Sequence, residues 1–327
     1  MNSDNKVSKK TKSLNQSGAF LQIYVIEQLR KRDWSVLPEQ PVRISPFLDL
    51  PSKNPLVIPK ISKNQQEVTP INVVRAIRES MDKTSVKETS IDVIAAKTAN
   101  EYIVNLCIEV KKLDPRFIDW VFFRQVKHEE QLRFLIRQRV SIEPVLLKTP
   151  PTTYIRETYL GITTLGNEFN YPVCDFALSL KSEEIDREYY KSDKTKIDEA
   201  ARQIMEGMYG FTIDRTLHQI QQGDPKLRNG FVDCFISIVV TNANLFICEF
   251  NKDSINPESG KIEEEPTYQS VDSLIYECPT PKAVQFPEPL EANTTSEENI
   301  AITKWHVLIL SPKGFNEFLQ KIGRNPN

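Results

Sequence analysis

Apolar residues along the chain follow two periods. In "SGAFLQIYVIEQLRKRDW", Phe20, Leu21, Ile23, Tyr24, Val25, Ile26 and Leu29 form a wide face at helical spacing. Ser17 stands as its N-cap, and Arg30-Lys31-Arg32 suit the negative end of the helix dipole. A helix is therefore expected over 17–31, and "WSVLPE" reads as a short strand after it. Residues 38–70 hold seven prolines and read as an irregular insertion, with a second helix in "PINVVRAIRESMDK". "TSIDVIAAK" (89–97) and "YIVNLCIEVKK" (102–112) are strands around a turn near Asn100, which makes 89–112 a hairpin.

Beyond Pro115, "DPRFIDWVFFRQVKHEEQLRFLIRQRV" reads as helix. "TYLGITTLGNEF" and "YPVCDFALSLK" suggest strands. "SDKTKIDEAARQIMEGMYGFTIDRTLHQI" (192–220) is a long amphipathic helix capped by Ser192 or Asp193. "GFVDCFISIVVTNANLFICEFN" (230–251) is a strand, a tight turn through Thr241, Asn242 and Asn244, and another strand. The acidic, proline-rich stretch 252–299 reads as a surface excursion with one strand near "SLIYEC". "KWHVLILSPKGFNEFLQKI" reads as strand, turn, helix. Interleaved helices and strands predict an α/β protein around one central mixed sheet. The expected organisation is a disordered basic arm over 1–15, then one domain over 16–327 with insertions at about 38–89, 141–192 and 252–299.

Composition narrows the class. The chain has 327 residues, 39% hydrophobic and 26% charged, as expected of a soluble globular protein. No run approaches a membrane span, and the polar N-terminus lacks the apolar stretch of a secretory signal. Five scattered cysteines without a C-x-x-C pair point to structural thiols in a reducing compartment, and the expected location is the cytoplasm. Three histidines, His128, His218 and His306, are too far apart in sequence to suggest a triad or a zinc site. The formal net charge of −2 argues against a coat protein for nucleic acid. Charge is nonetheless uneven. Residues 111–148 carry nine Lys/Arg against five Asp/Glu, while 249–299 carry three against twelve. The expected basic helix 116–139 could follow phosphates, or be an ordinary solvated face.

The candidate chemistry lies in the hairpin. Glu109 and Lys111 are two apart on a strand and so share a face, while Val110 points into the opposite layer. Asp92 interrupts an apolar segment of the partner strand, and a turn near Asn100 can bring it beside Glu109. Two neighbouring carboxylates repel unless a cation lies between them. Asp92, Glu109 and the Val110 carbonyl form an oxygen set suited to Mg²⁺, or Mn²⁺ in its place. Lys111 would activate water or stabilise the charge of a phosphoryl transition state. The simpler alternative is a frayed strand end with a surface ion pair.

Asp92 followed by Glu109-Val110-Lys111 resembles the PD-(D/E)xK motif of the restriction-endonuclease-like superfamily. With Gly18, Glu27 and Trp34, the arrangement resembles the Mrr-like and Holliday-resolvase-like branches. Glu27 stands where the first helix of such enzymes often contributes a further acidic residue. Gln203 and Tyr209 are six apart, which departs from the Q-x-x-x-Y of RecB-type relatives, and no role is carried onto them. The resemblance implies a metal-dependent endonuclease hydrolysing DNA phosphodiesters, often as a homodimer, without membrane association. Its catalytic residues would be Glu27, Asp92, Glu109 and Lys111. The alternative is an inactive nuclease-fold binding module in a larger nucleic-acid-processing or defence assembly.

Overall fold

The computed structural model describes residues 17–44, 87–99, 102–113, 119–124, 129–131, 133–142, 152–161, 170–180, 194–222, 232–279 and 304–322. The expected basic arm and the expected helix in 70–83 lie outside these residues. Among the described residues, three α-helices and fourteen strands follow in chain order. They are α1 (Ala19–Arg30), β1 (Ser35–Ile44), β2 (Lys87–Ala99), β3 (Tyr102–Lys111), β4 (Asp119–Phe123), β5 (Glu129–Gln131) and β6 (Arg133–Ile142). Next come β7 (Thr152–Gly161), β8 (Asn170–Cys174), β9 (Phe176–Leu180), α2 (Lys194–Gln222) and β10 (Val232–Thr241). The series ends with β11 (Asn244–Glu249), β12 (Thr267–Val271), β13 (Ser273–Pro279), β14 (Lys304–Leu310) and α3 (Pro312–Ile322).

The architecture is α/β, with a large mixed sheet flanked by few helices. The sheet runs β1-β2-β3-β10-β14-β13-β8-β5. β1, β2 and β3 form an antiparallel meander, and β10 then pairs parallel with β3 along its whole length. The other side of β10 is shared. Asp233–Phe235 pair with β6 and Ile238–Val240 with β14. A second sheet, β12-β11-β4-β9, holds β11 as the direct continuation of β10 around the Asn242-Ala243 turn.

The helix expected after Pro115 is instead strand, in β4 and again in β5 and β6. The burial pattern of β4 shows why. Trp120, Val121 and Phe122 are all buried, because the strand lies inside the second sheet between β11 and β9. A central strand covered on both faces reads as a continuous apolar run, which local pattern cannot tell from a buried helix. The strands expected in 141–192 are present as β7, β8 and β9, and 252–299 contributes β12 besides the expected strand β13.

Two core layers cover the large sheet. On one face Val25 and Leu29 of α1 and Phe315, Phe318, Leu319 and Ile322 of α3 pack on Val93, Leu106, Ile108, Ile236 and Val240. α3 begins at Ser311, whose hydroxyl accepts from the Gly314 amide and donates to Asp272. Gly314 is required there, since a Cβ would stand 2.0 Å from the Asp272 carbonyl oxygen. On the other face α2 lies between the two sheets. Ile197, Ala200, Ala201, Ile204, Met205 and Met208 form its stripe, packed with Cys107, Phe235 and Val239 of one sheet and Trp120, Leu245 and Ile247 of the other. Residues 204–210 are buried on every side. All five cysteines are buried free thiols.

β1 is an edge strand, and it carries Pro38, Pro41 and a left-handed Glu39 (φ 47°). Pairing of Pro38 with Val93 and of Gln40 with Ile91 sets Glu39 abreast of Asp92. The pleat reverses here. Ile91 faces α2 while Val93, only two residues on, faces α1 and α3. In β1, Val36 packs with the α1 layer and Val42 with the α2 layer, although an even separation should keep them on one face. Both strands therefore change phase at the same cross-strand position.

Candidate active site

The phase change opens a fork in the sheet. β2 and β3 stay paired from Ala99↔Tyr102 to Val93↔Ile108 and then separate. β3 runs on beside β10, with Glu109 opposite Val239 and Lys111 opposite Thr241. The Val110 amide thus loses its strand partner. The Asp92 side chain replaces it, with Oδ2 accepting the Val110 N–H at 2.8 Å. A carboxylate in that position serves the backbone as well as any chemistry, because a buried unpaired amide costs about 1–3 kcal/mol. Beyond the fork, the Asn242 side chain accepts the Leu113 amide at 2.8 Å and ties the exit of β3 to the β10–β11 turn.

Glu109 and Lys111 project toward α2, and Val110 packs in the opposite layer. Glu109 is 1% exposed. Its Oε1 lies 2.5 Å from Lys111 Nζ, and its Oε2 is buried without a hydrogen-bond partner. Burial, and then the neighbouring Asp92 charge, push its pKa up to about 7 against the pull of Lys111. Asp92 is shifted upward too, first by burial, opposed by the Val110 amide and Lys111 and reinforced by Glu39. Two adjacent carboxyls that both resist ionisation, one with an orphaned oxygen, form a donor set that a divalent cation would compensate. Among the described residues no three Asp, Glu, His or Cys side chains converge as direct ligands. Asp92, Glu109 and the Val110 carbonyl are the groups that could hold such an ion, with water completing its shell.

Lys111 is held from a second side. Gln203 Oε1 on α2 lies 3.2 Å from its Nζ. The helix can approach because of Gly207, one turn further on. A Cβ there would come within 2.7 Å of Ile91 Cγ1. The lysine side chain keeps 33% of its surface exposed, so its ammonium sits at the mouth of the fork.

α1 closes the other flank. Gln22 Nε2 donates to the Asp92 carbonyl at 3.0 Å, and a Cβ on Gly18 would stand 3.5 Å from that of Lys112. The helix begins at Gly18 (φ 78°) and not at Ser17, whose hydroxyl accepts from the Ala19 amide at 3.3 Å. Glu27 is five residues beyond Gln22, about 140° around the helix, and exposed. The structure thus groups Asp92, Glu109, Val110 and Lys111 and turns Glu27 away from Asp92.

Gln22, Glu39, Gln203 and Asn242 complete the surroundings and were not expected from the sequence. Only Asn242 carried a local signal, as a turn residue. Compared with family models, with curated proteins and with solved structures, the chain matches none. No helix of the described residues is long and apolar enough to cross a membrane.

Proposed function

We propose that the protein is a metal-dependent endonuclease acting on DNA phosphodiesters, with a restriction-endonuclease-like core. The observation that carries this reading is the fork: Asp92, Glu109 and Lys111 meet where β2 leaves β3, and Glu109 Oε2 is buried there without a partner. The order of elements supports it. In domains of this kind a strand follows the second core helix, and here β10 follows α2 and pairs parallel with β3.

Asp92, Glu109 and the Val110 carbonyl would hold Mg²⁺ or Mn²⁺. Such an ion would lower the pKa of a water and offset charge on the scissile phosphate. Asp92 is fixed through one oxygen on the Val110 amide, which leaves its other oxygen for the ion. Lys111 offers a fixed positive charge to the phosphate oxygens as the P–O bond breaks, where a desolvated donor is worth most. Gln203 holds that ammonium from the α2 side. It is a positioning residue, so Gln203→Ala is expected to lower kcat roughly tenfold or more with little change in KM.

The test is cleavage of plasmid and linear DNA with Mg²⁺ or Mn²⁺ by the wild type, Asp92→Ala and Lys111→Ala. Loss of cleavage in both variants is expected, and cleavage that persists in either removes the assignment. A second reading, a DNA-binding module without catalysis, is favoured by the closure of Lys111 on Glu109 at 2.5 Å. Fluorescence anisotropy showing DNA binding with no cleavage under any divalent cation would select it. Cytoplasmic location and a homodimer belong to the same proposal.

A further inference from the structure

The second sheet ends in an open margin. β12 pairs with β11 along its whole length, from Thr267↔Glu249 to Val271↔Leu245, and among the described residues no strand lies on its other side. Thr267, Tyr268, Gln269 and Ser270 are all exposed, Tyr268 by 54%. The opposite margin of this sheet is closed, since Ala177 and Ser179 of β9 are buried. The margin of the large sheet at β1 is blunted by Pro38, Pro41 and the left-handed Glu39. β12 has none of these protections. Its sequence, Thr-Tyr-Gln-Ser-Val, holds no proline, glycine or charge, and none of its residues takes a left-handed backbone. Folded proteins ordinarily defend an edge by such devices, so an undefended edge is a template for one more strand.

The approach to β12 is ordered and acidic. After β11 the chain makes a single 3₁₀ turn over Lys252–Ser254, and Ile255 then bridges Ile262. The Asn256 side chain accepts the amides of Glu258 and Ser259 and donates to Glu263 at 3.1 Å. This closed excursion delivers Glu263, Glu264 and Glu265, all exposed, to the start of the strand. Residues 251–265 carry five Asp/Glu against two Lys. Charge thus selects the occupant. Two copies of β12 side by side would bring two acidic excursions into one contact, whereas a basic segment is complementary.

We propose that β12 is a docking edge for an extended basic segment of a partner protein, which adds to the second sheet as a fifth strand. Every second residue of β12 turns its N–H and C=O outward, and these groups hold the incoming backbone. Glu264 and Glu265 favour lysine or arginine where that segment passes the start of β12. The edge lies apart from the fork, so the inference stands whether or not the fork hydrolyses DNA.

The test uses the full chain and a fluorescein-labelled peptide, Lys-Lys-Val-Thr-Val-Thr-Val-Lys-Lys, with lysines at both ends because an added strand can run either way. The control peptide has glutamate in place of lysine. Anisotropy is expected to show binding of the lysine peptide alone, weakened about tenfold by Glu264→Lys combined with Glu265→Lys, the scale of a few exposed charge contacts. Hydrogen exchange is expected to slow at alternate amides of Thr267–Val271 when the peptide binds, an effect that adsorption of a cationic peptide onto an acidic surface does not produce. No binding of the lysine peptide overturns the proposal. So does binding without amide protection, or binding that ignores the charge reversal. Protection of the same amides without peptide, growing with protein concentration, would give the edge to a second copy of the chain instead.

Discussion

Glu109 should make the fold lose stability as pH rises. Its carboxyl is 1% exposed, and its pKa is raised from 4.5 to about 7, first by burial and then by Asp92. Below pH 4.5 the group is protonated in both folded and unfolded chains, and nothing is lost. Between 4.5 and 7 the folded chain holds the proton while the unfolded chain releases it, so stability falls with pH. Above 7 the full penalty applies. At about 1.4 kcal/mol per pH unit, the window corresponds to roughly 3 kcal/mol, an upper figure because the fork can admit water. The assay is urea denaturation at pH 5 and pH 8.5, followed by the fluorescence of Trp34, Trp120 and Trp305, all buried in the fold. Wild type should lose roughly 3 kcal/mol between the two conditions, whereas Glu109→Gln should lose much less and be the more stable protein at pH 8.5. Asp92 shifts in the same direction, so the comparison between the two proteins isolates Glu109. Millimolar Mg²⁺ at pH 8.5 should restore part of the loss in wild type and none in the variant. Parallel pH profiles for the two proteins would refute the argument that Glu109 is buried at the expense of its charge.

Other perturbations probe the supports of the site. Gly207→Ala should destabilise the protein by about 1–3 kcal/mol, and pairing it with Ile91→Ala should cost less than the sum of the two single changes, as read by a double-mutant cycle. The five buried thiols, with Cys174 pushed up to about 12 and Cys107, Cys234, Cys248 and Cys278 also raised by burial, should ignore an aromatic disulfide reagent at pH 8 and react fully in urea. Gln203→Ala should show its deficit in single-turnover rates while DNA affinity, measured by anisotropy, is unchanged.

The readable parts of the chain were those whose partners are close in sequence. The β2–β3 hairpin, the strand–turn–strand of β10 and β11 and the β14–α3 unit each announce themselves by a turn between regular patterns, although β10 and β11 part into different sheets and do not pair as a hairpin. α2 was legible from its apolar stripe. β4 was not, because its status depends on β11 and β9, with Trp120 opposite Leu245 and Ser179. One sheet was expected and two exist for the same reason. At the site, Asp92 stood out as a charge between apolar residues, and Glu109 and Lys111 by their two-residue spacing. Gln203 gave no such signal, since its meaning depends on how closely Gly207 lets α2 approach β2. Glu39 is masked by prolines that suggest a loop, while the pairing with β2 makes the segment a strand.

That strand also limits how the molecule can be extended. An open sheet margin invites another chain to add a strand by backbone hydrogen bonding, the first step of runaway aggregation. Pro38 and Pro41 leave this strand two backbone donors short, and Glu39 between them takes a left-handed backbone that regular strand pairing does not use. Among the described residues, the border strand beside the fork is thus poorly suited to take on a further strand from another copy.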